Sequence, residues 1–293
     1  MLQRLNQRRY FEGFLLYLPT LLILFAVGLL PTLYAVWLSF QKVTISNLNN
    51  PIFYGLGNYS RVLGESQFWY SLRWTVRFAA LTTTFELIAG LALAVLFNRP
   101  FPGKGIAISL LLLPMMISPA LIGTMIRLQL NEFVGPVALL MRQIGIESTG
   151  LLTTDKVQYT LIVIDVMQQT PFIFLIMYAA VQGVSDEILE AALVDGATHW
   201  QRFWSVTFPM ITPFLRIAGL LRLIDSFLVF ALIYPLTGGG PGIQTQSINI
   251  YIYNKVFIHS NYGQAGAAAV ILVILLIGPA IFIAQKLGKE VTA

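Results

Sequence analysis

The chain contains no cysteine, which removes disulfide scaffolds, thiolate catalysis, iron–sulfur clusters and cysteine-ligated zinc. Its two histidines, His199 and His259, are too few for a metal site built from imidazoles. Charge is scarce as well: Asp, Glu, Lys and Arg make up 11% of the 293 residues, against roughly 25% in an ordinary globular protein. Tandem repeats and low-complexity tracts are absent. What fills the chain is apolar, with 57% hydrophobic residues and a mean hydropathy of +0.75. Such a chain has too little polar surface to clothe a water-soluble particle, so lipid is its solvent. The net charge of +5 comes without a basic stripe. That argues against nucleic acid as a partner and for positive charges that set orientation in a bilayer.

Six apolar stretches, near 13–40, 74–97, 106–128, 158–183, 208–236 and 263–285, are long enough to cross about 30 Å of hydrocarbon at 1.5 Å per residue. The fifth can begin as an interfacial segment. The first follows Arg4, Arg8 and Arg9. It exceeds the length of a signal-peptide core, contains Pro19 and Pro31 and leads into no small-residue cleavage site, so it reads as a retained helix. The expected fold class is all-α: a polytopic membrane protein of six transmembrane helices, one domain over 1–293 with no soluble domain left over.

Orientation follows from Lys and Arg in the connections. Segments 1–12, 98–105, 184–206 and 286–293 carry Arg4, Arg8, Arg9, Arg99, Lys104, Arg202, Lys286 and Lys289. The longer segments 41–73, 129–157 and 237–262 carry only Lys42, Arg61, Arg73, Arg142, Lys156 and Lys255. This bias places both termini in the cytoplasm. The outer segment 43–70 is turn-rich and ends in Phe68, Trp69 and Tyr70, aromatics of the kind that favour a membrane–water interface.

The inner segment 185–213 resists a pure-linker reading. Ser185 is a good N-cap, and Asp186 and Glu187 bring negative charge to a first helical turn. Helix formers run to Val194, and Asp195-Gly196 breaks the run because glycine takes the left-handed conformation cheaply. Thr198 with Gln201 fits a capping box that restarts the helix through Phe203, Trp204 and Phe208, and Pro209 and Pro213 bend the chain into the next span. Two short helices joined at a glycine make a projecting element, and Ala191, Ala192 and Ala197 let another protein approach closely. An amphipathic connector lying on the membrane surface has the same spacing.

The run Glu190-Ala191-Ala192, then Asp195-Gly196-Ala197, with Phe203, Pro209 and Pro213 downstream, resembles the EAA loop of the permease subunits of binding-protein-dependent ABC importers. Gly55-Leu56-Gly57-Asn58-Tyr59 is similar to the GLxNY element of the sugar-type permeases. Leu236-Thr237-Gly238-Gly239-Gly240-Pro241-Gly242, with Thr245 and the aromatic run 251–257, is similar to the LTGGGP stretch of the maltose and glycerol-phosphate group. The resemblance spans roughly residues 12–286. It implies the type I ABC importer fold, a bacterial inner-membrane location and transport of a carbohydrate by alternating access. The implied partners are a second permease in a heterodimer, two ATP-binding cassette subunits and an extracytoplasmic solute-binding protein. Glu190, Ala191, Ala192, Asp195, Gly196 and Ala197 are then the coupling residues that dock in a cleft of the ATPase. A phosphate loop of the GxxxxGK[ST] type is missing: in Pro102-Gly103-Lys104-Gly105 neither the upstream glycine nor the following Ser or Thr is in place. The expectation is therefore a transport subunit and not an enzyme, with no cofactor of its own, ATP and Mg²⁺ being bound by the partner.

Ionisable groups inside a span cost about 2.5–3.5 kcal/mol on insertion scales and face a cavity or a partner. The candidates are Glu86, Arg127, Asp165, Arg222 and Asp225. Asp165, Gln169 and Phe172 share one helical face, with Gln168 beside them; Arg222, Asp225, Ser226 and Val229 share another. Acids and amides that bind hydroxyls, with a ring to stack on a sugar's C–H face, suit a carbohydrate path. Equally, Arg222 and Asp225 can pair with each other, and Glu86 and Asp165 can hold helix backbones or the second permease. An unpaired Arg222 would favour an anionic substrate such as a uronate oligosaccharide or glycerol phosphate. Arg77, Arg127 and Arg216 lie near span ends and can snorkel. His199 falls to the ATPase contact or the interface rather than to a metal. An ion-gradient-driven transporter is the alternative and would show inverted repeats and broken helices; no repeat is evident. An intramembrane enzyme would have only the acids to work with.

Overall fold

The computed structural model describes residues 17–143, 145 and 150–291, and of residues 141 and 278–291 the backbone alone. Arg4, Arg8, Arg9 and the start of the first apolar stretch lie outside the described residues, as do the side chains of Lys286 and Lys289.

A chain in hydrocarbon must pair its backbone N–H and C=O groups within itself, and helices do so. In chain order the elements are α1 (Tyr17–Ser39), β1 (Gln41–Lys42), β2 (Ile52–Phe53), α2 (Gly57–Gly64), α3 (Ser66–Phe97), α4 (Lys104–Met116), α5 (Pro119–Gln129) and α6 (Pro136–Gln143). There follow α7 (Val157–Gln182), α8 (Asp186–Val194), α9 (His199–Phe227), α10 (Ile233–Thr237), α11 (Ile248–Phe257) and α12 (Tyr262–Val291). α1, α3, α7 and α9 are each long and apolar enough to cross a membrane. α4 and α5 together make a bent fifth span, and α12, at 30 residues, covers the sixth apolar stretch. The all-α class therefore holds, with a single two-stranded antiparallel ribbon, β1–β2, among the described residues.

Three segments depart from the sequence-based expectation. The stretch 106–128 is no straight helix: α4 and α5 meet at 92°. Pro114 inside α4 has no N–H to donate, and Ser118, preceding Pro119, is held extended at ψ 134°. The stretch 208–236 shifts towards the N-terminus, because α9 begins at His199 and stops at Phe227. Pro209 and Pro213 do not interrupt it. A wider π-turn at Phe203–Thr207 ends two residues before Pro209, where the ring of Pro209 would otherwise crowd the i−4 carbonyl of Ser205 in a regular helix. Finally, Phe68 is buried at the start of α3, packed edge-on against Tyr251 at 5.7 Å, while Trp69 stays exposed.

The described residues form two compact units, one from 17–66 with 252–277 and the other from within 67–251 with 278–291. In the first, the segment after α1 is tied to the helix end. Asn58 Nδ2 donates to Ser39 O and Gln41 O at 2.9 and 2.8 Å, and Tyr262 N–H donates to Val43 O at 3.0 Å. In the second, one apolar cluster gathers Trp74 and Phe78 of α3, Leu161 and Ile164 of α7 and Ile233 of α10. Another gathers Ala94 of α3, Phe174 and Met177 of α7 and Ile211 and Ala218 of α9. Polar side chains occupy the stretch of α3 and α7 between them.

Candidate functional site

That polar stretch centres on Arg222 of α9, whose side chain is 3% exposed. Its Nη2 lies 2.7 Å from Asp165 Oδ2 on α7 and 2.9 Å from Glu86 Oε1 on α3. Nη1 donates to Asp225 Oδ2 at 2.5 Å, and Nε approaches Glu86 Oε2 at 2.7 Å, out of line for a hydrogen bond. Three helices thus converge on one guanidinium. Glu86 stands 11 residues before the end of α3, about 16 Å along its axis, so the cluster is well inside the span. One cation and three carboxylates carry a formal charge of −2 when all are ionised. Glu86 and Asp165 are buried, but the Asp225 side chain is 67% exposed, which gives the cluster one closed and one open end.

The structure unites what the sequence offered as alternatives. Arg222 pairs with Asp225 and also with Glu86 and Asp165, so Glu86 and Asp165 bind a side chain, and the unpaired Arg222 that an anionic substrate would favour does not occur. Ser226 is buried, with Thr82 Oγ1 3.4 Å from its Oγ. Gln168 Nε2 donates to Ile117 O at 3.1 Å and so satisfies the carbonyl freed at the α4–α5 bend. Gln169 and Phe172 are half-buried, Phe172 against the Ala94–Phe174 cluster. Val229 leaves the proposed face altogether, because α9 ends at Phe227 and Val229 packs into the Trp74–Phe78 cluster beyond it. Arg127 is exposed and donates to Pro235 O at 3.3 Å.

Sequence reasoning missed a second polar group at the starts of α3 and α7. Gln67 Nε2 donates to Gln246 Oε1 at 2.9 Å, and Gln158 Nε2 and Tyr70 OH both donate to Gln244 O. Thr245 Oγ1 donates to Gly240 O at 2.7 Å and lies 2.8 Å from Thr237 Oγ1. The glycine-rich stretch after α10 is therefore an ordered cap. The recurrence of glutamine near span ends was the available signal.

The inner elbow forms from its own sequence. α8 ends in a Schellman motif: Gly196 sits at φ +79°, its N–H donates to Leu193 O, and the Ala197 N–H donates to Ala192 O, both at 3.0 Å. Thr198 and Gln201 complete the reciprocal capping box that starts α9, with Thr198 N–H donating to Gln201 Oε1 at 2.8 Å. Ser185 occupies the N-cap of α8, but its hydroxyl makes no capping bond. Glu190, Ala191, Asp195 and Gly196 are exposed and Ala192 and Ala197 half-buried. Leu193, Val194 and Trp200 also stand in the open. His199 Nε2 is 2.8 Å from Arg99 Nη2 in the α3–α4 connection. Among the described residues no group of three or more His, Asp or Glu side chains is placed to hold a metal ion.

The family described as the binding-protein-dependent transport system inner membrane component matches residues 86–291. A trehalose/maltose transport system permease protein of Thermococcus litoralis is 32% identical over 275 residues, covering 94% of this chain and 92% of that one. A trehalose transport system permease protein of Mycobacterium tuberculosis is 33% identical over 269 residues, covering 92% and 85%. The fold matches a chain in the crystal structure of a bacterial ABC transporter involved in the import of the acidic polysaccharide alginate, with a TM-score of 0.86 over 99% of both chains at 20% identity.

Proposed function

The chain belongs to the binding-protein-dependent transport system inner membrane components and is a carbohydrate-type ABC importer permease, and from that premise we propose how it works and what it carries. It spans the inner membrane with both termini in the cytoplasm as a single transmembrane domain. Beside it stands a second permease, and a binding protein delivers substrate from outside. Two separate ATPase subunits bind ATP and Mg²⁺ and drive alternating access through the elbow. The observation that carries this reading is the elbow: two capped helices holding Glu190, Leu193, Val194 and Trp200 in the open. An element of this kind transmits work only if its contacts differ between the open and closed ATPase, which a rigid, self-capped pair of helices allows.

The substrate is a neutral oligosaccharide. Arg222 is already surrounded by carboxylates, so the cluster has no positive charge to spare for a uronate or a phosphate. The open end, Asp225, accepts hydroxyl hydrogen bonds, and the relatives named for trehalose and maltose carry neutral sugars, while one named for sn-glycerol-3-phosphate, 30% identical over 240 residues, carries an anion. The bend between α4 and α5 is the one feature that a gradient-driven transporter would share. Family membership supports the ATP-driven reading instead.

The test is gentle solubilisation from the native membrane followed by mass spectrometry of whatever co-purifies. A second permease and a soluble ATPase are expected, with the ATPase lost from the Glu190→Ala, Gly196→Pro double variant. Isolation with no ATPase under any mild condition would overturn the coupling role.

A further inference from the structure

The segment between α1 and α2 holds large apolar side chains in the open on a frame that is firmly tied down. Ile45, Leu48, Ile52, Phe53 and Leu56 are all exposed, Phe53 at 74%. Beneath them the β1–β2 pairing fixes the backbone, and Thr44 and Asn47 form a reciprocal capping box. Tyr54 N–H donates to Phe40 O at 2.8 Å, and Asn58 bonds Ser39 O and Gln41 O. These acceptors belong to the last residue of α1 and the two just beyond it. The ribbon is thus folded back onto the very point where a 23-residue span emerges and cannot stand far from the bilayer surface. Tyr34 and Trp37, exposed on the last turns of α1, mark the depth at which aromatic belts sit.

Charge completes the pattern. Between Tyr17 and Gly64 there is no Asp or Glu, while Lys42 and Arg61 are both exposed, Arg61 over the Tyr54 ring at 5.1 Å. Apolar side chains with basic residues and no acid are the composition of elements that lie in the headgroup layer and are drawn to anionic lipid. We propose that the 43–57 ribbon is a membrane-interface anchor: Ile45, Ile52 and Phe53 enter the headgroup–acyl boundary, and Lys42 and Arg61 meet lipid phosphates. The anchor fixes the depth and tilt of α1 independently of what the protein transports or what drives it.

The absence of cysteine makes the test direct. The full chain, in its native complex, carries a single Phe53→Cys or Ile45→Cys substitution labelled with an environment-sensitive fluorophore. It is reconstituted in nanodiscs of phosphatidylethanolamine and phosphatidylglycerol. The expected result at both positions is blue-shifted emission, quenched several-fold more by a shallow nitroxide-labelled lipid than by iodide in the buffer and unchanged by the solute-binding protein. Lys42→Glu with Arg61→Glu should weaken the lipid quenching in these discs and have no such effect in discs of phosphatidylcholine alone. Dominant iodide quenching at both positions would overturn the anchor. So would a blue shift that develops only when the binding protein is added, since that would make the ribbon a protein-docking surface.

Discussion

Replacing Arg222 by methionine removes the cation that Glu86 and Asp165 share and leaves two carboxylates buried side by side within the span. Removing one partner of a buried ion pair costs about 3–5 kcal/mol, because the other charge stays buried without compensation. Two such charges depend on Arg222, so Arg222→Met should fall at the upper end, about three and a half decades in the folded-to-unfolded ratio. That is a large part of the ~5–15 kcal/mol by which folded domains are stable. The assay is the thermal midpoint of the detergent-solubilised chain, followed by fluorescence-detected size exclusion. A drop of many degrees is expected for Arg222→Met. Recovery is expected for Arg222→Met combined with Glu86→Met and Asp165→Leu, because apolar side chains of similar volume replace buried ion networks at little cost. Asp225→Asn makes the contrasting case. That side chain is 67% exposed and pairs three residues along its own helix, so its contribution is about 0.5 kcal/mol or less. Its midpoint should stay near that of the unsubstituted chain while substrate uptake falls. An unchanged midpoint for Arg222→Met, or no recovery in the triple variant, would refute the shared-cation account.

At the elbow, Gly196→Val places a β-branched residue at φ +79°, costing about 1–2 kcal/mol although nothing stands within 4 Å of the new Cβ. Uptake should fall while the amount of chain in the membrane holds, and Gly196→Asn should be milder. Between the spans, Gly90→Ala would set a Cβ 2.5 Å from Ile173 Cγ2 and 3.0 Å from the Phe174 backbone nitrogen, forcing α3 and α7 apart at a cost of about 1–3 kcal/mol. Gly105→Ala, in open space within α4, should be neutral or stabilising by up to about 1 kcal/mol, and thermal midpoints of the two variants separate these outcomes.

The elements that were legible in the sequence are those whose causes are local. Capping at Thr198–Gln201 and the left-handed glycine at 196 need only neighbours within six residues, and both stand where the residues indicated. The long spans follow from summed hydropathy, which registers composition but not dihedral angles. For that reason the 106–128 stretch passed as one helix although Pro114 and Pro119 flank Ser118. At α9 the helix runs unbroken through Pro209 and Pro213, where the sequence indicates bends into the span. A π-turn of five residues absorbs the first of them, and the preceding residues carry no signal for its position. Spacing alone puts Val229 on a helical face, but α9 stops two residues before it.

The charged cluster lies between these cases. Spans read from hydropathy put Arg77, Arg127 and Arg216 near their ends and Arg222 inside, with Glu86, Asp165 and Asp225; in the structure Arg77 and Arg216 also lie well within α3 and α9, and it is burial that separates Arg222 from them. In hydrocarbon a carboxylate requires a partner, so charge accounting alone brings three acids from three helices towards one guanidinium. Which acid stays open is set by helical phase. Ser226, four residues after Arg222, turns the same way and is buried beside Thr82. Asp225 precedes Ser226 by one residue and is rotated about 100° from it, away from α3, so its carboxylate can reach back to Arg222 while most of it stays exposed. A carboxylate exposed within a span faces water or a polar partner and not lipid. Asp225 stands two residues before the end of α9, and we expect water or a polar partner on that side of the helix end.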